Sequence, residues 1–159
     1  MRKNSIEFKT SFTSEAGTYR TNKDFFAYSE LDDYACYIAA DGLDSDEEVK
    51  SAELATNWFF EYFFENPTMS RRKIKNYIMH VHRKLVANST SVRLKSSMVI
   101  MVTDYTHMIW VVSGNARLYH FRNGGFSFRS KDQSVAQMMV DAGKISDEEC
   151  NTHDERNNL

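Results

Sequence analysis

Tyr34-Ala35-Cys36-Tyr37-Ile38-Ala39-Ala40-Asp41-Gly42 is the stretch from which the rest of the chain can be read. The run from Tyr34 to Ala40 is apolar enough for a strand buried on both faces of a sheet, and it ends in a carboxylate followed by a residue with no Cβ. Asp24 to Glu30 is a second extended segment, and the short link Leu31-Asp32-Asp33 predicts that the two form a hairpin. Taken alone, Asp-Gly is a common turn dipeptide. At the end of a buried strand the same pair can hold a hard cation such as magnesium or manganese, because a carboxylate is a hard oxygen ligand and glycine lets its own carbonyl come close.

Outward from this hairpin, Ile6, Phe8, Thr10 and Phe12 alternate with polar residues and predict a half-buried first strand. After the acidic loop Asp44 to Glu48, which is read as solvated and favourable to a helix dipole, Ser51 to Glu65 predicts a helix. Leu54, Ala55, Trp58, Tyr62 and Phe63 share one face of it, and Asn66-Pro67 ends it. A second helix, capped by Ser70, has Ile74, Ile78, Val81 and Leu85 on its inner face and a solvated basic face. His80 and His82 are two apart on it, so their rings face different ways and share no metal.

From Ser97 the pattern changes to short β-rich runs, Met98 to Tyr105, Met108 to Ser113, Leu118 to Arg122 and Phe126 to Arg129, which predict an antiparallel meander. Ser134 opens a third helix that Gly143 closes, and Ser146 opens a fourth. Strands, a helix pair and more strands give an α+β class, and the hairpins on both sides of the helix pair predict two antiparallel sheets packed as a sandwich.

The 159 residues are expected to form a single domain (1–159); 42% are hydrophobic and 13% aromatic, enough for a sizeable core. A net charge of -2 gives no field that would draw the molecule to nucleic acid or anionic lipid, so an anion site would be local. Cys36 and Cys150 have neither zinc-site nor disulfide-framework spacing, which fits reduced thiols in a cytoplasmic protein. No apolar run approaches the roughly 20 residues of a spanning helix, and no export signal is read.

The order of motifs around Asp41 resembles that of the type 2C, metal-dependent serine/threonine protein phosphatases. That family has Gly-x-x-Arg-x-x-Asn-Glu-Asp after its first strand, and Gly17-Thr18-Tyr19-Arg20-Thr21-Asn22-Lys23-Asp24 is similar but one residue shorter. A buried strand ending in Asp-Gly and a helix beginning Ala-Ser follow in the family, as Asp41-Gly42 and Ser51-Ala52 do here. Its Gly-Asp-Ser-Arg-x-Tyr strand, Gly turn, Thr-x-Asp-His-Ser segment and Arg-Asn-x-Leu end are similar to Gly114-Asn115-Ala116-Arg117-Leu118-Tyr119, Asn123-Gly124, Ser130-Lys131-Asp132-Gln133-Ser134 and Arg156-Asn157-Asn158-Leu159. The order holds from about Ile6 to Leu159.

The resemblance implies a two-sheet sandwich flanked by helices, with two magnesium or manganese ions at one end. Asp41 would bridge them, Gly42 would offer its carbonyl, Asp24 would act through water, and Arg20 would hold the substrate phosphate. Asn115 stands where the family has an Asp linked to a third, weaker metal, and Lys23 stands in place of a carboxylate beside Asp24. The family's C-terminal metal-ligand motifs have no counterpart here, so the chain alone is expected to be inactive and to represent the N-terminal portion of a longer enzyme. The implied partner is a phosphoprotein, the substrate of a cognate serine/threonine kinase. The alternative is a non-catalytic module that keeps the scaffold and binds a partner.

Overall fold

In the computed structural model, which describes residues 6–17, 20–44 and 49–159, the hairpin that ends in Asp41 stands at the head of the main sheet. Strand β1 (Asp24–Glu30) pairs antiparallel with β2 (Ala35–Gly42), and the Leu31 N–H closes the link by donating to the Tyr34 carbonyl at 2.7 Å. β2 pairs with β3 (Ser96–Thr103) and β3 with β4 (Met108–Ser113), giving a four-stranded antiparallel sheet in the order β1-β2-β3-β4. The Asp-Gly dipeptide is therefore inside a paired strand and not in a turn.

Two helices between β2 and β3 cover one face of this sheet. α1 (Ser51–Glu65) packs Phe59 and Phe63 inward, and α2 (Arg71–Asn88) adds Ile74, Val81 and Leu85. They meet Cys36, Ile38 and Ala40 of β2 and Met98, Ile100 and Val102 of β3. Each large apolar side chain buried here contributes about 1.5–3 kcal/mol, and this cluster is what holds helices to sheet. Ser70 caps α2 as expected, its side chain accepting from the Lys73 N–H. The inner face of α1 is rotated from the expected one: Ala52, Thr56, Phe59 and Phe60 are buried, whereas Trp58 and Tyr62 are only half-buried. The stripe Glu53, Asn57, Glu61 and Glu65 marks the outward side of α1 and Phe59 lies opposite it; stacking of Tyr62 on Tyr77 and His80 turns the flank that carries Tyr62 toward α2.

On the opposite face of the sheet, Phe26, Tyr28, Tyr37 and Trp110 alternate with the buried residues. β2 is thus buried toward the helices only, and Ala39 on its other side is exposed. The segment 6–16 crosses this face without joining either sheet, in contrast to the expected first strand. Its alternation serves ring contacts instead: Phe8 lies 5.8 Å from the Tyr37 ring and 5.6 Å from Tyr105, and Phe12 lies 5.0 Å from Phe26.

β5 (Tyr119–Arg122) and β6 (Gly125–Arg129) form a second antiparallel sheet, which touches the first where Phe128 meets Trp110 at 5.7 Å. The expected meander is interrupted between β4 and β5. There Gly114 turns at φ +85°, and the Gln133 side chain takes the Val112 carbonyl at 3.3 Å and the Gly114 N–H at 3.2 Å, filling the edge positions a next strand would use. α3 (Val135–Asp141) starts at a Ser134 cap, α4 (Asp147–Thr152) at a Ser146/Glu149 capping box, and a 3₁₀ turn (Asp154–Asn157) closes the chain against α3. Two antiparallel sheets flanked by helices make the fold α+β.

Candidate functional site

β1, β2 and β3 finish level with one another, and their register sets Asp24 opposite Asp41 and Asp41 opposite Ser97. Because Phe25 and Ala40 point to the helices, the alternation puts Asp24 and Asp41 together on the other face. Asn22 Oδ1 accepts from the Asp24 N–H at 2.9 Å, which steers the chain into β1. The Asp41 carboxyl is pushed up to about 6, first by burial and then by the neighbouring Asp24 charge, with which it is within hydrogen-bonding reach. The Gly42 N–H donates to the Lys23 carbonyl at 3.2 Å, and a Cβ at 42 would stand 3.1 Å from that oxygen and 3.3 Å from Ser51 Oγ. A side chain at 42 would therefore press on Lys23 and Ser51, which would have to give way.

Asp44, expected to be solvated, is buried. Its Oδ1 accepts from the Lys95 N–H at 2.9 Å and its Oδ2 from the Ser51 N–H at 3.3 Å. The first N–H of a helix needs an acceptor, and this carboxylate supplies it while tying α1 to the start of β3. The Lys23 ammonium donates to the Asp44 carbonyl at 2.6 Å, so the cation beside Asp24 is engaged in the same knot. Asp46, Glu47 and Glu48 lie outside the described residues.

Asn115 is drawn to the same end of the sheet through Ser97, whose hydroxyl donates to Asn115 Oδ1 at 2.7 Å. Asn115 Nδ2 donates to Asn157 Oδ1 at 3.1 Å. A carboxylate could not make that second bond, because it has no proton to give. Arg117 forms a bidentate pair with Asp132, at 2.7 and 2.6 Å, that ties the loop before β5 to the loop before α3.

Arg20, which is exposed, lines a cleft of about 1530 Å³ together with Asp24, Asp41 and Gly42. His82, Arg93 and Lys95 join its wall. These three come from α2 and the connection into β3, and no spacing in the sequence relates them to Asp41. His80 is turned away and stacks on Tyr62 at 5.1 Å. Among the described residues there is no group of three or more His, Cys, Asp or Glu that could hold a metal ion. Two facing carboxylates, one with its proton affinity raised by burial and then by the other, nevertheless form a hard-oxygen donor pair that a divalent cation would relieve. The pair fits a cation, and weakly.

The raised value has a consequence for stability. The folded protein keeps a proton on Asp41 that the unfolded chain releases near its ordinary 3.8, so stability falls as pH rises from about 4 to about 6 and stays lower above. Metal-free wild type is expected to lose roughly 1–2 kcal/mol across this window relative to Asp41→Asn, solvent screening of a part-exposed pair being allowed for. Urea unfolding of both proteins at a series of pH values measures this, and parallel curves would contradict it.

No family model matches the sequence, and no curated protein matches it. Solved structures do. The S. agalactiae serine/threonine phosphatase superposes with a TM-score of 0.77 at 19% identity, covering 92% of this chain and 65% of that one. Stp1 from Staphylococcus aureus gives a TM-score of 0.79 at 16% identity, covering 100% of this chain and 68% of that one. The catalytic domain of the serine/threonine phosphatase PstP, solved with two manganese ions, gives 0.68 at 18% identity, covering 86% and 61%. The chain thus spans about two thirds or less of the length of these structures. At such identities the likeness establishes the fold.

Proposed function

On the fold it shares with PPM-type serine/threonine phosphatases, we propose that the whole protein to which this chain belongs hydrolyses phosphoserine and phosphothreonine esters of proteins, with magnesium or manganese, at the Asp24–Asp41 end of the cleft. The observation that carries this is the pair of facing carboxylates, with Asp41 pushed up to about 6, in one cleft with an arginine. Asp41 and Asp24 would offer their carboxylates to the metal, and Gly42 would add its carbonyl oxygen. When bound, the ions supply positive charge for the phosphoryl oxygens and a water acidified toward neutral pH.

The protein's own groups account for the rest. Asp41 must be ionised to hold a cation, so binding weakens as pH falls through about 6. Arg20 has the planar, permanently charged fork that suits two phosphate oxygens, and it fixes the ester in the cleft. Asp44 and Ser51 hold the end of β2 in place through Lys95, so that Asp41 does not drift from Asp24. On this reading the substrate is a phosphoprotein, the product of a serine/threonine kinase, met in the cytoplasm.

Manganese-dependent phosphate release from a phosphothreonine peptide tests the reading. Arg20→Ala is expected to raise KM about tenfold or more with a smaller change in kcat, as loss of a charged phosphate contact does. A second reading, a binding module on the same scaffold, is favoured by the neutral Asn115 and by the Asp24–Asp41 pair having no third His, Cys, Asp or Glu grouped with it among the described residues. No metal-dependent release, together with no effect of Asp41→Asn, would leave that reading in place.

A further inference from the structure

We propose that β4 is a docking edge, to which a partner protein adds an extended segment as a fifth strand, apolar on one side and acidic on the side facing α2. β4 ends the sheet order, with β3 on one side and, among the described residues, no strand on the other. Its outward hydrogen-bonding groups can be identified from Gln133, which takes the Val112 carbonyl and the Gly114 N–H with its side-chain amide. Outward groups recur at every second residue of a strand, so the N–H and C=O of Met108 and Trp110 face outward too. Among the described residues no backbone group bonds to them on that side. The Gln133 amide is already a one-residue imitation of a strand at this edge.

Natural edges are commonly blocked by lysine, proline or a bulge. Met108-Ile109-Trp110-Val111-Val112-Ser113 has no lysine or proline, and its six pairs with β3 run without a register shift. Beside the edge lies a groove of about 680 Å³ whose other wall is α2, through Ile74, Ile78 and Met79. Met79, Met108 and Trp110 are each about 40% exposed. Arg71 and Lys75 stand in the same wall, and no acidic residue lines the groove. This charge selects the occupant. Pairing β4 with β4 of a second copy would set the Arg71 and Lys75 groups of both copies in neighbouring grooves, where like charges oppose association. An acidic strand gains from them instead. Main-chain bonds to Met108 and Trp110 would supply affinity, and the alternating side chains specificity.

The probe is a fluorescein-labelled peptide, Glu-Val-Glu-Ile-Glu-Val, followed by anisotropy against the full chain. It is expected to bind saturably. A version N-methylated at alternate amides is expected to bind at least tenfold more weakly, as is the parent peptide to Trp110→Pro, which removes one outward N–H and takes no N–H from the β3 ladder. Arg71→Glu combined with Lys75→Glu is expected to weaken the acidic peptide at least tenfold and to favour a Lys-Val-Lys-Ile-Lys-Val peptide; it leaves the strand unchanged, so it decides the matter even if Trp110→Pro disturbs the sheet. Equal binding of the N-methylated peptide, or no binding of the parent, would overturn the proposal. So would a dimer, seen by sedimentation, that Trp110→Pro dissolves, since the edge would then belong to a second copy.

Discussion

Asp41→Asn is expected to lower manganese-dependent phosphate release by about 100-fold or more while making the metal-free protein more stable at neutral pH. Both effects follow from one arrangement. Asp41 is held part-buried beside Asp24, and its carboxyl is pushed up to about 6. Above that value, in the metal-free protein, two like charges share the end of the sheet, which costs folding energy. An amide of the same shape removes the repulsion and removes the ligand. A carboxylate with a purely structural role behaves oppositely: its loss leaves a donor unsatisfied and destabilises, as Asp44→Asn would by weakening the bonds to Lys95 and Ser51. The opposed signs at Asp41 and Asp44 separate a binding group from a building group.

Gly114→Ala is expected to cost about 2–4 kcal/mol, from an unfavourable backbone and a clash together. Gly114 has φ +85°, and a Cβ there would come within 2.3 Å of Ser97 Oγ and 3.1 Å of Leu159. Ser97 is fully buried and bonded to Asn115, so it cannot step aside without breaking that contact. The damage should therefore reach the Asp41 end of the sheet, since Asp41 and Ser97 are register partners. Chemical denaturation measures the cost, and a loss below about 0.5 kcal/mol would show that the turn relaxes freely.

Much of the frame was legible in the residues. β1, α1 and β4 run over the expected spans, Asp24–Glu30, Ser51–Glu65 and Met108–Ser113, because each has a clear period and a clear stop. The carboxylate at the end of a strand was legible as well, since Ala40-Asp41-Gly42 closes an apolar run. What could not be read depends on partners distant in sequence. The alternation of Ile6 to Phe12 says that alternate side chains lie on a surface, but whether the backbone also finds a strand to pair with is decided elsewhere. On α1 the stripe Glu53, Asn57, Glu61 and Glu65 marks the outward side, but the lean of Tyr62 toward α2 depends on Tyr77 and His80. The break after β4 depends on Gln133, and the burial of Asp44 depends on Lys95, 51 positions away. Asn115 could be placed by resemblance, but its bond to Asn157 could not.

Calorimetric titration of the protein with manganese tests whether the Asp24–Asp41 pair holds a divalent cation as proposed. At pH 7.5 the account predicts one weak binding event, with a dissociation constant on the order of 10⁻⁴–10⁻³ M. It should weaken sharply at pH 5, where Asp41 is protonated, and be lost in Asp41→Asn. Manganese binding that is unchanged in the Asp24→Asn, Asp41→Asn double variant would contradict the account.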